Sequence, residues 1–139
     1  MHLIIDGFGG DPRKLQSLET IYEVLDYYPQ EIGMTKIAPP YVFKYVGAKP
    51  KDWGLSGLVL IAESHISIHT FPEREYVNID IFSCKEFNPE KAIEYLRGKF
   101  GLKKMKYYVL NRGLEYSDNI DLSKGTVEAE HVKSYSSVV

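Results

Sequence analysis

Side chains able to do chemistry crowd into one short stretch, Glu63-Ser64-His65-Ile66-Ser67-Ile68-His69-Thr70-Phe71-Pro72-Glu73, and the sole cysteine, Cys84, follows soon after. Two histidines four residues apart suggest a metal pair, because on a helix that spacing brings both imidazoles to one side. The local composition argues for a strand instead. On a strand, positions four apart share a face but lie roughly 13 Å from each other, too far for one ion. No metal site is therefore expected. Ser64 beside histidine also fits a serine hydrolase, but no Gly-x-Ser-x-Gly elbow surrounds it. A third reading makes Ser64, Ser67 and His69 plain polar positions on a half-solvated strand. Residue types alone leave that choice open.

Whatever the chemistry, strands and helices must position it. Met1 to Phe8 reads as a first strand, stopped by Gly9-Gly10-Asp11-Pro12. Pro12 then opens a helix with Asp11 as its cap, and Leu15, Leu18, Ile21, Tyr22 and Leu25 form one apolar stripe. Tyr27-Tyr28-Pro29 is expected to end it. Thr35 to Val46 is rich in β-branched and aromatic residues but is bent by Pro39-Pro40, and Ala48 to Gly54 reads as a loop. Strands are predicted over Ser56–Ala62, Ile66–Phe71 and Tyr76–Cys84. The last of these has Val77, Ile79 and Ile81 on one face and Asn78, Asp80, Phe82 and Cys84 on the other. Asn88-Pro89-Glu90 starts a second helix with Ala92, Ile93, Leu96 and Phe100 inward; Gly101 stops it, and Met105–Leu110 is a final strand.

This order predicts an α+β fold, a two-layer sandwich of an antiparallel β-sheet with two helices on one face. The other face is too apolar in places to meet water alone, so a partner subunit is expected to cover it. Residues 1–116 read as one domain and 117–139 as a polar tail, weakly ordered or docked on a neighbour.

Composition narrows the classes. The chain has 139 residues and a formal net charge of −2, giving no bulk attraction for nucleic acid or anionic lipid. No apolar run approaches the ~20 residues that cross a bilayer, and Met1-His2-Leu3-Ile4-Ile5-Asp6 lacks the pattern of a secretory leader. One cysteine excludes an intrachain disulfide and fits a reducing compartment, so a cytoplasmic protein is expected.

The Glu63–Glu73 segment resembles the self-cleavage motif of the bacterial and archaeal S-adenosylmethionine decarboxylases, pyruvoyl enzymes of spermidine synthesis. The resemblance extends to Leu55-Ser56-Gly57, to Asp80-Ile81-Phe82-Ser83-Cys84 and to the first strand, His2-Leu3-Ile4-Ile5-Asp6, leaving out only the tail. It implies that the Ser64 hydroxyl adds to the Glu63 carbonyl and exchanges the amide for an ester. Loss of the Ser64 α-proton would then break the ester, leaving fragment 1–63 and a fragment 64–139 capped by a pyruvoyl group. In the same comparison His69 matches the processing base, Ser56 a hydroxyl donor near the scissile carbonyl, Cys84 the proton donor of turnover and Glu73 a substrate-binding carboxylate. The ketone would form a Schiff base with the substrate amine and act as an electron sink during decarboxylation. S-adenosylmethionine would become the aminopropyl donor.

Ser64 and His69 are an odd number of residues apart, so an unbroken strand would face them oppositely and the chain must turn near Glu63-Ser64. The family's short aromatic-proline stretch before the Ser-Gly pair is replaced here by Ala38–Tyr45 and Lys49–Trp53, so Phe43, Tyr45, Trp53 and Phe8 are the candidates to stack on adenine. The family assembles as a homodimer of cleaved protomers. Two alternatives remain open: arginine or ornithine as substrate for the same fold and cofactor, and an uncleaved, non-catalytic relative.

Overall fold

A computed structural model describes residues 1–113 and 135–138. It contains β1 (His2–Phe8), α1 (Pro12–Leu15), α2 (Leu18–Glu31), β2 (Tyr41–Val46), β3 (Trp53–Ile61), β4 (Ser64–Phe71), a 3-10 turn (Pro72–Arg74), β5 (Tyr76–Ser83), α3 (Pro89–Phe100), β6 (Lys104–Leu110) and β7 (Tyr135–Val138). The strands form one seven-stranded sheet in the order β2-β3-β4-β5-β1-β6-β7, with every neighbouring pair antiparallel.

Period-two alternation decides which face is buried. Leu3, Ile5, Leu55, Val59, Ile61, Ile66, Ile68, Val77, Ile79, Ile81 and Met105 point to the helical layer, where Leu15, Ile21, Val24, Leu25, Ala92, Leu96 and Phe100 meet them. Helix α2 sits directly on β3 because Gly57 lacks a side chain: a Cβ there would lie 2.6 Å from Leu25 Cδ1. The α+β sandwich with its helices on one face is thus the architecture observed. Its other face bears Phe8, Leu58 and Leu60, which are 40%, 39% and 42% exposed. Among the described residues no helix is long and apolar enough to cross a membrane.

Several boundaries differ from the sequence reading. The expected first helix is two, because Ser17 accepts a hydrogen bond from the Thr20 amide and restarts the backbone as an N-cap. Helix α2 runs through Pro29 to Glu31, its last turn held by buried Tyr28, whose ring stacks on Tyr95 at 4.1 Å. Turning α2 in this way leaves Leu18 and Tyr22 of the proposed stripe exposed beside β2. Trp53 belongs to β3 and not to a loop, and β4 begins at Ser64, two residues earlier than expected. Of the proposed tail, Tyr135–Val138 pairs with β6, and the rest lies outside the described residues.

Candidate active site

Ile61 and Ser64 pair across β3 and β4, so only Ala62 and Glu63 form the hairpin loop. Two-residue loops match the twist of their strands when a loop residue adopts positive φ, which favours Gly, Asn or Asp. Neither Ala62 nor Glu63 adopts it. The positive φ falls instead on the next residue, Ser64, at 153°. A side chain there costs of order 1–3 kcal/mol, so the peptide joining Glu63 to Ser64 is held by a strained residue.

The surroundings of that peptide come from β5 and from the segment between α2 and β2. Ser83, the last residue of β5, pairs with Ser64, which brings Cys84 alongside. The Cys84 amide donates to the Glu63 carbonyl oxygen at 3.0 Å, and its Sγ lies 3.9 Å from Ser64 Oγ. The Thr35 amide donates to Glu63 Oε2 at 3.0 Å. A hydroxyl, a hydrogen-bonded carbonyl and a thiol therefore meet at one hairpin tip.

A second group lies on the open face of the sheet. Ser56 and His69 are cross-strand partners, with Ser56 Oγ 2.9 Å from His69 Nδ1, which leaves Nε2 to exchange a proton. Register extends this row to Phe43 on one side and to Asn78 and Asp6 on the other. Asp6 Oδ1 accepts from Asn78 Nδ2 at 2.6 Å and from the Tyr76 hydroxyl at 2.7 Å. Burial, together with the Asp6 carboxylate, raises the Tyr76 phenol above the ordinary tyrosine range. Phe8 packs on Tyr76 at 5.1 Å and Phe71 on the same ring at 5.7 Å, an aromatic row next to the polar one. Trp53 donates its indole N–H to Glu73 Oε1 at 3.3 Å.

Ser64, Glu63 and Cys84 are thus together, and Ser56, His69 and Glu73 are not with them. His69 stands five residues along β4 from Ser64, roughly 16 Å at about 3.3 Å per residue, and Glu73 lies beyond the end of the strand. The predicted turn at Glu63-Ser64 exists, but it does not bring His69 to Ser64 within one chain. Sequence reading missed Thr35, the Cys84 amide and the Asp6–Tyr76–Asn78 cluster. Only Asn78 carried a signal, through its place on the open face of an alternating strand.

The profile of the family described as S-adenosylmethionine decarboxylase matches residues 1–113. The chain is similar to the S-adenosylmethionine decarboxylase proenzyme of Pyrococcus furiosus, 34% identical over 119 residues covering 85% of this chain and 81% of that one. The proenzyme of Clostridium botulinum is 39% identical over 113 residues, 81% of this chain and 92% of its own. That of Thermococcus gammatolerans is 34% identical over 119 residues, 85% and 79% of the respective chains. A match spanning all of the sheet's first six strands, with the strained serine and its cysteine inside it, places this chain in the S-adenosylmethionine decarboxylase family.

Proposed function

We propose that this chain is a decarboxylase of S-adenosylmethionine made as a precursor, which cuts itself between Glu63 and Ser64 and works with the pyruvoyl group so formed. The observation that carries this reading is the strained Ser64 beside a Glu63 carbonyl already held by the Cys84 amide. Attack by Ser64 Oγ on that carbonyl forms a C–O bond and breaks the C–N bond, the hydroxyl proton passing to the leaving nitrogen. The Cys84 N–H supports the negative charge that develops on oxygen. Removal of the Ser64 α-proton expels Glu63 as a carboxylate, and water then replaces the nitrogen as ammonia.

The residues fit the group. A ketone carbon is trigonal, so forming it at residue 64 abolishes the side-chain geometry that makes a φ of 153° costly. Bound there, a pyruvoyl group supplies an electron sink for loss of a substrate carboxylate. The Cys84 thiol stands beside it to deliver a proton. Glu73 of a second copy, with Trp53 beside it, would bind the nucleoside end of the substrate, since Glu73 of the same chain lies beyond the far end of β4.

The active unit in this reading is a pair of copies packed open face to open face. His69 is too far along β4 to serve the Ser64 of its own chain, whereas a two-fold pairing offers it to the other chain's hairpin tip. The exposed Leu58, Leu60 and Phe8 side chains are what such a pairing would cover.

Denaturing mass spectrometry of purified protein tests the first step. Fragments 1–63 and 64–139, the second lighter by the exchange of a serine amine for a ketone, are expected. Fully cleaved material should then release carbon dioxide from S-adenosylmethionine and not from arginine or ornithine. An intact Ser64 after long incubation would refute the reading, and turnover of arginine or ornithine alone would refute the substrate.

A further inference from the structure

The segment joining α2 to β2 touches the cleavage hairpin at Thr35, Lys36 and Ile37. Ile37 donates its amide to the Leu60 carbonyl at 3.1 Å, Lys36 forms a backbone bridge with Ile61, and Ala62 donates to the Thr35 carbonyl at 2.8 Å. Met34 Sδ accepts from Ser83 Oγ at 3.3 Å, and Gly33 O from Lys85 Nζ at 2.8 Å, so the same segment also grips the end of β5 that carries Cys84. Its outer side is fixed to α2 by the ion pair of Lys36 with Asp26. It is a splint laid across β3, the loop and β5.

The splint makes a single side-chain contact with the residue that supplies the scissile carbonyl: the Thr35 amide donates to Glu63 Oε2 at 3.0 Å. That bond and the one from the Cys84 amide to the Glu63 carbonyl pull on the same residue from two sides. With Ala62 and Glu63 both confined to negative φ, fixing Glu63 leaves the misfit of the tight loop to be absorbed at Ser64. A loosely held Glu63 could rotate, share the distortion and turn its carbonyl off the Cys84 amide.

We propose that the Glu63 side chain is the positioning residue for self-cleavage, acting through the Thr35 amide to aim the scissile carbonyl and to concentrate strain on Ser64. This rests on the self-cleavage reading above. The carboxylate is an anchor and takes no proton in the step.

The test follows the cleavage rate of full-length precursor by denaturing mass spectrometry for wild type, Glu63→Ala and Glu63→Gln. Glu63→Ala is expected to cleave at least about tenfold more slowly, a factor that corresponds to about 1.4 kcal/mol in barrier. Glu63→Gln retains an oxygen that accepts the Thr35 N–H and is expected to stay within about threefold of wild type. A Glu63→Ala rate equal to wild type overturns the proposal, as does a Glu63→Gln rate as slow as that of Glu63→Ala, which would assign the effect to charge. The same two substitutions in uncleavable Ser64→Ala protein separate positioning from folding. Unchanged unfolding midpoints support the anchor, and loss of the fold overturns it in favour of a structural role. Wild-type protein that never cleaves would instead sink the self-cleavage reading itself.

Discussion

Replacing Ser64 by Ala or by Gly removes the proposed nucleophile in both cases, so both proteins are expected to remain full length and to differ only in what residue 64 asks of its backbone. At a φ of 153° an alanine Cβ meets the same steric penalty as serine, of order 1–3 kcal/mol, and glycine meets none. Two effects oppose glycine. Its extra freedom in the unfolded chain costs about 0.5–1 kcal/mol, and the methyl of alanine at this half-buried position recovers less than about 0.8 kcal/mol. Central values leave glycine ahead by about 1 kcal/mol, the reverse of the usual order within a strand. Urea unfolding followed by fluorescence of Trp53 would show this as a midpoint about 0.5 M higher for Ser64→Gly, taking a slope near ~2 kcal/mol/M. Both proteins must be compared at one concentration, since association would raise either midpoint. If Ser64→Gly unfolds at or below the midpoint of Ser64→Ala, the residue is not strained and the argument that the hairpin is primed for cleavage fails.

Cys84→Ala keeps the backbone N–H on the Glu63 carbonyl but loses the thiol. The precursor should still cleave, while turnover of substrate by the cleaved protein falls by about 10²–10⁴, read as carbon dioxide release. Mixing Ser64→Ala with His69→Ala under conditions that exchange subunits should restore cleavage of the His69→Ala chain, because its Ser64 then meets an intact His69 on the other copy; no fragments in the mixture would place both groups in one chain. Tyr28 is 3% exposed, and its hydroxyl finds no partner among the described residues. Tyr28→Phe should therefore raise the unfolding free energy by about 1 kcal/mol, from the penalty of an unsatisfied buried hydroxyl. Burial, and then the neighbouring Tyr95 and Glu31, raise the Tyr28 phenol above its ordinary value. The folded state thus resists an ionisation that the unfolded chain undergoes near pH ~10, and the advantage of Phe should widen above that pH.

The parts of the fold that followed from local rules were legible. Alternation in Val77–Phe82 placed the core face of β5, and Asn88-Pro89 with Gly101 marked both ends of α3, where the Asn88 side chain does cap the Lys91 amide and Gly101 takes a φ of 64°. Ser17 was missed as a cap because an apolar stripe with helical spacing runs straight across it, and spacing cannot see a one-residue break. Leu18 and Tyr22 misled for the same reason: periodicity finds a stripe but not the rotation that α2 takes on β3, which Gly57 sets. At the site, the motif supplied Ser64 and Cys84. Thr35 contributes only backbone groups, its amide and its carbonyl, and any residue other than proline would offer both, so its identity says nothing.

The hairpin tip shows why a locally poor sequence can be a functional one. Asn-Gly in place of Ala62-Glu63 would satisfy a two-residue turn and let Ser64 relax into ordinary strand geometry. It would also remove the carboxylate that the Thr35 amide holds. The mismatch between loop length and loop residues therefore does not weaken the hairpin evenly. Seven backbone-paired positions from Leu55–Thr70 to Ile61–Ser64 keep β3 and β4 in register, and the splint fixes the loop from outside. With every neighbour over-determined, the distortion has one place to go, the residue whose hydroxyl is proposed to attack. The proposed cleavage would remove both the tight loop and the constrained φ, so a scaffold that resists every other relaxation would favour this one.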